Sequence, residues 1–385
     1  MLPEGWDCRT LDLVTKITDC RHKTPKSINF GIPIISPGDI SWGKLNTTNV
    51  KRYINPIDYF EYMGHCAPVS GDIVFGRNQN VGVASYVSDD KKFILGQDTV
   101  LISPLSVDAS YVYYYLQSDI VQNNIKKIGG GSTFFRINLK DIRNLKIIFP
   151  PLLEQKKIAA ILSTWDRAIE VTEKLLANSQ HQKKALMQQL LTGKKRLPGF
   201  TGEWLRVSIA QIVKTKSGNG KLIKGVLNSM RTANSFPAYS ASGQDLWLSF
   251  YEHDGAAIIV SAVGSRCGKC FLASGKWSAI ANTHIIWPKE GALDNYFLLC
   301  LIDREDFWIR GGSGQPFVKM KDSLLREITL PSFSEQKAIA SVLTKADEEI
   351  TLLESDLSRL RQEKKALMQQ LLTGKRRVKI EADAG

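Results

Sequence analysis

The sequence predicts an α/β (α+β) protein in which two mixed α/β blocks alternate with two long helices. Its 385 residues are too many for one ordinary hydrophobic core, which suggests two or three compact units. The segment KKALMQQLLTGK, from Lys183 to Lys194, recurs unchanged from Lys364 to Lys375. Both copies of this segment end a long stretch with helical periodicity, and each follows a block that is not repeated.

The internal repeat extends beyond this identity at one constant offset, 364 − 183 = 181 residues. Glu154-Gln155-Lys156 matches Glu335-Gln336-Lys337 without a gap. The match fades through residues 1–128 and 197–310, so a variable block precedes each nearly constant block. The predicted order is variable domain, spacer helix, variable domain, spacer helix and tail, at residues 1–149, 150–196, 197–330, 331–377 and 378–385.

Each constant block has the heptad pattern of a long helix that packs on another helix. Apolar residues recur at alternating steps of four and three from Ile339 to Leu371, and the first copy keeps this register from Ile158 to Leu190. The first seam is weaker at Thr172, Ser179 and Lys183. Because each copy places its variable block before the same helix end, we expect an antiparallel coiled coil with internal pseudo-two-fold symmetry.

Each variable block alternates short apolar runs with turns rich in Gly, Asn and Asp, which is typical of a mixed α/β domain with short strands. Short helices are predicted at Tyr111–Gln117 and at Tyr296–Leu301. Predicted strands cover residues 32–35, 72–75, 81–87, 93–95 and 100–102 in the first block, and 256–263, 269–273 and 284–287 in the second.

Composition and charge limit the classes of function. Lys and Arg exceed Asp and Glu by 51 − 38 = 13, and the excess is spread along the chain, which favours a polyanionic partner. No run approaches 18 consecutive apolar residues, so no transmembrane helix is expected. The six cysteines are scattered and no secretory signal is recognisable, so reduced thiols and a cytoplasmic location are expected.

Two patterns suggest metal chemistry but have simpler explanations. Glu154-Gln155-Lys156 has the Glu-x-Lys spacing of many metal nucleases, yet here it opens a helix, where the helix dipole favours a first-turn glutamate without any metal. Cys267 and Cys270 have zinc-ligand spacing, but zinc needs four ligands, and only Cys300 and His284 offer themselves as the others. No P-loop motif occurs, and we predict no catalytic centre and no metal site.

Both variable blocks contain loops whose side chains suit nucleic acid. Arg can bind guanine through two hydrogen bonds and Asn or Gln can bind adenine, while glycine-rich turns let backbone N–H groups approach a phosphate. Any one such loop also fits a solvated surface, but their recurrence in both blocks favours DNA contact. The predicted DNA-binding residues are Arg21, Lys23, Arg77, Asn78, Gln79, Asn80, Lys126, Lys127, Ser132 and Thr133 in the first block, and Lys221, Lys224, Arg231, Ser242, Gln244, Arg266, Lys269, Ser313 and Gln315 in the second.

The repeated helix and its flanks resemble the specificity subunit of type I restriction–modification systems. The resemblance rests on the helix start Pro-x-x-x-Glu-Gln-x-x-Ile-Ala, which begins at Pro150 and Pro331, on the repeated KKALMQQLLTGK helix end, and on the segment from Leu197 to Trp204. It covers essentially the whole chain. The family implies two target-recognition domains that each read one half of a split DNA site, with the coiled coil as spacer.

The same resemblance implies partners and cofactors. The expected partners are double-stranded DNA, two methyltransferase (modification) subunits and restriction endonuclease/translocase subunits, with no membrane contact. S-adenosylmethionine, Mg²⁺ and ATP would then belong to the partners, and none to this chain. From the residues alone, a stand-alone two-site DNA-bridging protein without enzyme partners, a duplicated metal nuclease and a purely structural coiled coil remain alternatives. The target sequence and spacer length do not follow, because reader loops obey no simple code.

Overall fold

The chain forms two compact units whose limits lie inside the long helices. The computed structural model describes residues 2–129, 135–222, 227, 229–304 and 306–380. Unit 1 comprises Met1–Thr172 with Asp356–Gly385, and unit 2 comprises Glu173–Ser355. Each unit therefore contains one variable block and one part of each long helix.

Unit 1 is built around a four-stranded sheet in the order β2-β8-β5-β6, a three-stranded sheet in the order β4-β3-β7, and the pair β1-β9. Its strands are β1 (Asp7–Thr10), β2 (Thr15–Asp19), β3 (Ile32–Ile35), β4 (Tyr53–Ile54), β5 (Ile73–Gly76), β6 (Ala84–Tyr86), β7 (Ile94–Leu95), β8 (Thr99–Pro104) and β9 (Lys146–Phe149). Its helices are α1 (Tyr59–Met63), α2 (Ala109–Leu116), α3 (Asp119–Ile128), α4 (Leu139–Arg143) and the first part of α5 (Leu152–Leu190).

Unit 2 contains sheets in the orders β11-β18-β15-β16 and β13-β12-β17-β14, and the pairs β10-β21 and β19-β20. Its strands are β10 (Leu205–Ser208), β11 (Val213–Ser217), β12 (Phe236–Ser240), β13 (Gly243–Leu248), β14 (His253–Asp254), β15 (Ala257–Ser261), β16 (Cys270–Ala273), β17 (Lys276–Ala279), β18 (Thr283–Pro288), β19 (Arg310–Gly311), β20 (Phe317–Val318) and β21 (Glu327–Leu330). Its helices are α6 (Ile209–Ile212), α7 (Asn295–Ile302), α8 (Met320–Leu324) and the first part of α9 (Phe333–Leu371).

The two variable blocks share one topology although their sequences do not match. In each, the first and last strands pair antiparallel, and the smaller sheet contains one parallel pair, β3 with β7 or β12 with β17. Asp98 and Asn282, which precede β8 and β18, have φ angles of 63° and 64°. Their carbonyl oxygens accept from the amides of Arg77 and Ala262 at 2.8 and 2.9 Å. The mixed α/β fold class is thus confirmed for both blocks.

The long helices pack on each other within each unit along the predicted seam. None of the seam residues from Ile158 to Leu190 or from Ile339 to Leu371 is exposed. In unit 1 the start of α5 and the end of α9 share a core that includes Leu162 and Leu371, and in unit 2 the end of α5 meets the start of α9. Residue numbers rise along one helix as they fall along the other, so the packing is antiparallel, as predicted.

Lys183, Lys364 and Ser179 pair across the helices, whereas Thr172 donates to Ala168 O within α5. Lys364 Nζ lies 2.5 Å from Asp166 Oδ1 in unit 1, and in unit 2 Lys183 pairs with Asp347. These pairs are reciprocal, because the 181-residue offset carries Asp166 onto Asp347 and Lys183 onto Lys364. Ser179 also donates to Glu349 at 2.9 Å. Paired polar groups at seam positions specify register, which accounts for the weaker hydrophobicity of the first seam.

Candidate nucleic-acid interface

In unit 1 the ends of β2 and β5 lie beside the start of β8, at one end of the larger sheet. The register pairs Asp19 at the end of β2 with Val100, and Gly76 at the end of β5 with Thr99, so the loops after β2 and β5 lie beside the turn before β8. A cavity of about 250 Å³ opens there. It is lined by Thr24, Pro25, Ile34, Ser36, Pro37, Arg52, Asn78, Gln79, Gly96, Gln97 and Asp98.

The polar lining of this cavity combines hydrogen-bond donors with acceptors. Gln79 is exposed at the tip of its loop, where it adopts a φ of 56°. Gln97 Nε2 donates to Thr24 Oγ1 at 2.8 Å, and Arg52 Nη2 donates to Ser36 Oγ at 2.5 Å. A site that both donates and accepts matches the edges of bases, which present both kinds of group in the major groove.

Arg77 is placed differently from its sequence neighbours. Its side chain is only 5% exposed, and Nη1 donates to both carboxylate oxygens of Asp19 at 2.9 and 3.0 Å while Nε donates to Ile137 O at 3.2 Å. Asn80 Nδ2 donates to the carbonyl oxygens of Pro37 and Ile40 at 3.1 and 3.2 Å. These contacts let Arg77 and Asn80 support the loop, with Arg77 buried and Asn80 exposed beside it.

The other predicted residues of the first block lie apart from this cavity. Arg21 is exposed, and Lys23 forms an ion pair with Glu61. Lys126 and Lys127 are exposed in the last turn of α3. Three further predicted residues, Ser132, Thr133 and, in the second block, Lys224, lie outside the described residues.

In unit 2 the loop after β15 lies beside the loop that joins β19 to β20. Gly264 N donates to Pro316 O at 2.8 Å, and Arg266 Nη1 donates to Ser242 O at 2.9 Å. Ser313 and Gln315 are exposed in the β19–β20 loop. The structure thus groups predicted residues from three distant parts of the second block: Ser242, Arg266, Lys269, Ser313 and Gln315.

The remaining predicted residues of the second block have other neighbours. The guanidinium of Arg231 lies 5.0 Å from the ring centroid of Trp247, and Gln244 Nε2 donates to Leu246 O at 3.3 Å. Lys221 is exposed, and its amide donates to Asn219 Oδ1 at 2.9 Å. These three residues are available near β12 and β13 but do not line the cavities described for this unit.

A basic groove of about 460 Å³ lies between β11 and α8. Lys216, Lys319 and Lys321 are exposed along it, and His284 adds a ring whose pKa is lowered by burial. Only Asp322 contributes a carboxylate to its described lining. Lysines in such a groove suit the phosphate backbone of DNA. Lys319 belongs to no recognisable motif, whereas Lys321-Asp322 repeats Lys140-Asp141 at the 181-residue offset but was not predicted to bind DNA.

The cysteine pair does not form a metal centre in the described chain. No group of three or more His, Cys, Asp or Glu side chains is close enough to hold an ion there. Burial raises the pKa of the Cys300 thiol to about 12 and raises that of Cys270 as well. Cys270 Sγ instead lies 3.4 Å from Gly268 O. Because zinc binds the thiolate, raised pKa values disfavour metal binding.

The Glu-Gln-Lys motif has a structural role at the start of each long helix. Glu154 and Glu335 are buried and bind Arg377 and Arg196 respectively. The adjacent glutamine makes two hydrogen bonds. Gln155 Nε2 donates to Pro150 O at 2.8 Å, and its Oε1 accepts from Asp108 N at 2.9 Å. Gln336 makes the corresponding contacts with Pro331 and Asp294 at 3.0 Å. The helix-start motif therefore ties each helix to its variable block.

No helix in the part of the chain that the structure describes is both long and apolar enough to cross a bilayer. The two long helices are instead amphipathic, with an apolar seam and charged outer faces.

The chain thus combines two mixed α/β blocks of similar topology with two long helices that repeat at a fixed offset. A family model described as the type I restriction modification DNA specificity domain matches residues 3–178 and 206–362. The chain belongs to this family, which confirms the resemblance seen in the sequence.

Similar proteins of known name agree with this membership. The specificity subunit named for type I restriction enzyme MjaX of Methanocaldococcus jannaschii is 26% identical over 415 residues, covering 98% of this chain and 95% of that protein. The MjaVIII specificity subunit of the same organism is 26% identical over 328 residues, covering 75% and 76%. The EcoKI specificity subunit of Escherichia coli K12 is 24% identical over 202 residues, covering 50% and 43%.

Solved structures show the same fold. The crystal structure of the type I restriction–modification S subunit from M. genitalium matches with a TM-score of 0.66 and 17% identity, covering 96% of this chain and 97% of that one. A second chain, from a study of complex assembly and conformational transition of the type I restriction–modification system, matches with a TM-score of 0.57 and 18% identity, covering 97% and 99%.

Proposed function

We propose that this chain reads a bipartite, asymmetric DNA target as the specificity subunit of a type I restriction–modification enzyme. The observation that carries the proposal is the pair of variable blocks, which share one topology but differ in their loop side chains. Exposed loop side chains of unit 1 include Gln79 and Gln97, whereas those grouped in unit 2 are Arg266, Ser313 and Gln315. Because different side chains match different bases, the two half-sites should differ.

The long helices supply the spacer in this proposal. α5 and α9 both pass from one unit into the other, so a longer helix pair would move the two readers farther apart in this proposal. The bases between the half-sites would then be unread. At about 1.5 Å per helical residue and about 3.4 Å per base pair, one added heptad corresponds to roughly three base pairs.

The partner surface in this proposal is the outer face of the repeated helix end. Within the two identical segments, Leu186, Leu190 and their repeats point to the core. Four side chains are exposed in both copies: Lys184, Ala185, Gln188 and Gln189 in the first, and Lys365, Ala366, Gln369 and Gln370 in the second. In the second copy Lys365 and Gln369 also contact Asp119 of α3. The core does not require identity at exposed positions, so one face presented twice favours two copies of one partner, the methyltransferase subunit.

Catalysis belongs to the partners in this proposal. The methyltransferase subunits would bring S-adenosylmethionine, and the endonuclease/translocase subunits would bring ATP and Mg²⁺, in the cytoplasm of the host. The chain itself would supply sequence recognition and assembly. The alternative of a stand-alone DNA-bridging protein requires neither partner nor methylation.

Co-purification separates these two functions. The full chain with an affinity tag, isolated from its host, should bring down a methyltransferase subunit, and the complex should methylate host DNA with S-adenosylmethionine. A chain that binds DNA but isolates alone would instead favour the bridging protein. Mg²⁺-dependent cutting by the purified chain, lost on combined Glu154→Ala and Glu335→Ala substitution, would support the nuclease alternative.

Single substitutions test which loops read bases. We expect Gln79→Ala to relax the first half-site only and Arg266→Ala to relax the second only, because each lies in one unit. Lys146→Ala, an exposed change on β9 of unit 1 that touches no predicted DNA-binding residue, should leave both half-sites intact. The readout is a map of methylated bases. Loss at both half-sites from either loop change would assign that side chain to folding or phosphate contact.

Insertion of one heptad into each long helix tests the spacer. We expect both half-sites to stay unchanged while the unread gap grows by roughly three base pairs, since the helical rise is about 1.5 Å per residue. An unchanged gap would show that the helices do not set the spacing.

A further inference from the structure

The unit 2 cavity contains arginines that no motif indicated. It measures about 250 Å³ and is lined by Ser265, Arg266, Cys267, Gly268, Lys269, Asp303, Arg304 and Arg310. Four of these residues are cationic and one is a carboxylate. The cations come from two segments, the loop between β15 and β16 and the stretch that follows α7.

The acceptor groups of this cavity are already used. Asp303 Oδ2 accepts from Lys269 Nζ at 2.6 Å, and its Oδ1 accepts from Cys270 N at 3.0 Å. Arg304 is held by Asp306, with Nε to Oδ1 at 3.1 Å. Within the described chain, Arg266 and Arg310 have no carboxylate at ion-pair distance. Among its described lining residues, the cavity therefore offers donors and positive charge to a ligand, and its one carboxylate, Asp303, is already paired.

The loop backbone at Gly268 lies close to Trp308 and Arg310. Gly268 has a φ of 91°, and a Cβ on it would lie 2.7 Å from Trp308 Cδ1 and 3.4 Å from Arg310 Nη2. The positive φ and the close approach to the buried ring of Trp308 favour glycine here. The loop therefore runs beside the Arg310 guanidinium at the wall of the cavity.

The corresponding place in unit 1 is closed. There the loop after β5 is covered by α3, with Gln122 Nε2 donating to Gly82 O at 3.0 Å. A Cβ on Gly82 would lie 2.9 Å from Ile125 Cδ1. In unit 2 no helix follows α7 before β19 in the described residues, and the cavity stays open. The anion-type site is therefore a feature of unit 2, not of the shared topology.

We infer that this cavity binds a phosphate group of the DNA backbone, with Arg310 and Arg304 as phosphate ligands beside the loop of Arg266. The inference rests on the proposed DNA-recognition function and adds a contact for its second half. A guanine edge and a phosphate oxygen both accept hydrogen bonds, but only the phosphate carries the negative charge that four cations beside one paired carboxylate would balance. The guanidinium fork matches phosphate geometry, which favours arginine at such a site.

The test uses the full chain and fluorescence anisotropy on duplex DNA of unrelated sequence across a salt series. Each phosphate contact adds about 0.9 to the slope of log K against log salt for duplex DNA. We expect Arg310→Ala to lower the magnitude of this slope by about 0.9, and Arg310→Lys to keep the slope because the charge remains. Arg206→Ala, an exposed arginine on β10 of the same unit that is paired with Glu327, should leave the slope unchanged.

Three results would overturn the inference in distinguishable ways. If Arg310→Ala has the same salt slope as the wild type and Arg206→Ala, Arg310 does not contact a phosphate, and the proposed DNA recognition is unaffected. If inorganic phosphate raises the melting temperature of the wild type but not of Arg310→Ala, and the two have the same salt slope for DNA binding, the cavity binds a free anion rather than DNA. A wild-type chain without salt-dependent DNA affinity would refute the proposed function itself.

Discussion

In each unit, an arginine that follows one long helix binds a glutamate at the start of the other. In unit 1 the neighbouring residues come from two segments far apart in the sequence, and in unit 2 they come from one continuous segment. In unit 1 Arg377, beyond α9, binds Glu154 and donates to Glu4 O at 3.1 Å. In unit 2 Arg196, beyond α5, binds Glu335 at 2.6 and 2.7 Å and donates to Gly202 O at 2.9 Å. We call each set a helix-end clamp. The same arginine–glutamate pair thus joins the helix ends in both units, whether its neighbours come from one continuous segment or from two segments far apart in the sequence.

The clamps differ in how they use a tryptophan. Trp6 Nε1 donates to Glu154 Oε2 at 3.0 Å, so the carboxylate in unit 1 has two partners. The Nε1 atom of Trp204 is buried without a partner in the described chain, and the Arg196 guanidinium lies 5.6 Å from its ring centroid. The clamp without chain continuity therefore has the additional hydrogen bond.

The largest effect is expected from the arginines. Arg196→Ala leaves the carboxylate of Glu335, only 1% exposed, without its cation, so this variant should lose the most free energy of unfolding. Arg377→Ala should cost less, because Glu154 keeps the indole donor and because Arg377 is more exposed. Urea unfolding of the full chain measures both.

The control for these arginines is Arg206→Ala, which breaks an exposed ion pair and should cost no more than about 1 kcal/mol. Adding Glu335→Gln to Arg196→Ala should recover part of the loss, since no charge is then buried. Equal losses from Arg196→Ala and Arg377→Ala would show that the two clamps do not differ in strength.

A smaller effect is expected from the tryptophans. Trp6→Phe and Trp204→Phe remove the same atoms, but only Trp6 donates to a carboxylate. Trp6→Phe should therefore cost more than Trp204→Phe by about 1.5–3 kcal/mol, the range for a hydrogen bond to a charged group. The measurement is again the free energy of unfolding. A greater loss from Trp204→Phe would contradict the assigned hydrogen bonds.

The smallest expected difference between the units is the reactivity of their cysteine thiols. Cys8 in unit 1 is exposed, whereas Cys270 and Cys300 in unit 2 are buried with raised pKa values. Because the thiolate is the reactive form, a thiol reagent at pH 8 should label Cys8 quickly and the buried pair only after unfolding. Mass spectrometry of labelled peptides locates the sites. Rapid labelling of Cys300 in the folded chain would contradict its burial.

The sequence predicted the features that depend on periodicity. The heptad seam, the helix-start motif and most strands of the first block follow from spacing alone, because an apolar face must be buried wherever it lies. The strands at residues 32–35 and 100–102 and the helix near Tyr111 are confirmed, with small shifts at their ends.

The sequence could not predict features that depend on distant segments. Arg77 has the side chain of a base reader, but only the fold brings Asp19 to it. Arg52 and Arg310 join their cavities from segments without any motif. The division into units that share both helices was also not predicted, since no local pattern marks residue 172 or 355.

The most direct test of the central claim is a map of methylated bases in the host genome with and without this gene. Two dissimilar readers on paired helices predict one motif that depends on the gene, made of two different short sequences separated by a fixed number of unread bases. A single unbroken motif, two identical halves, or a methylation map that does not change would contradict the account.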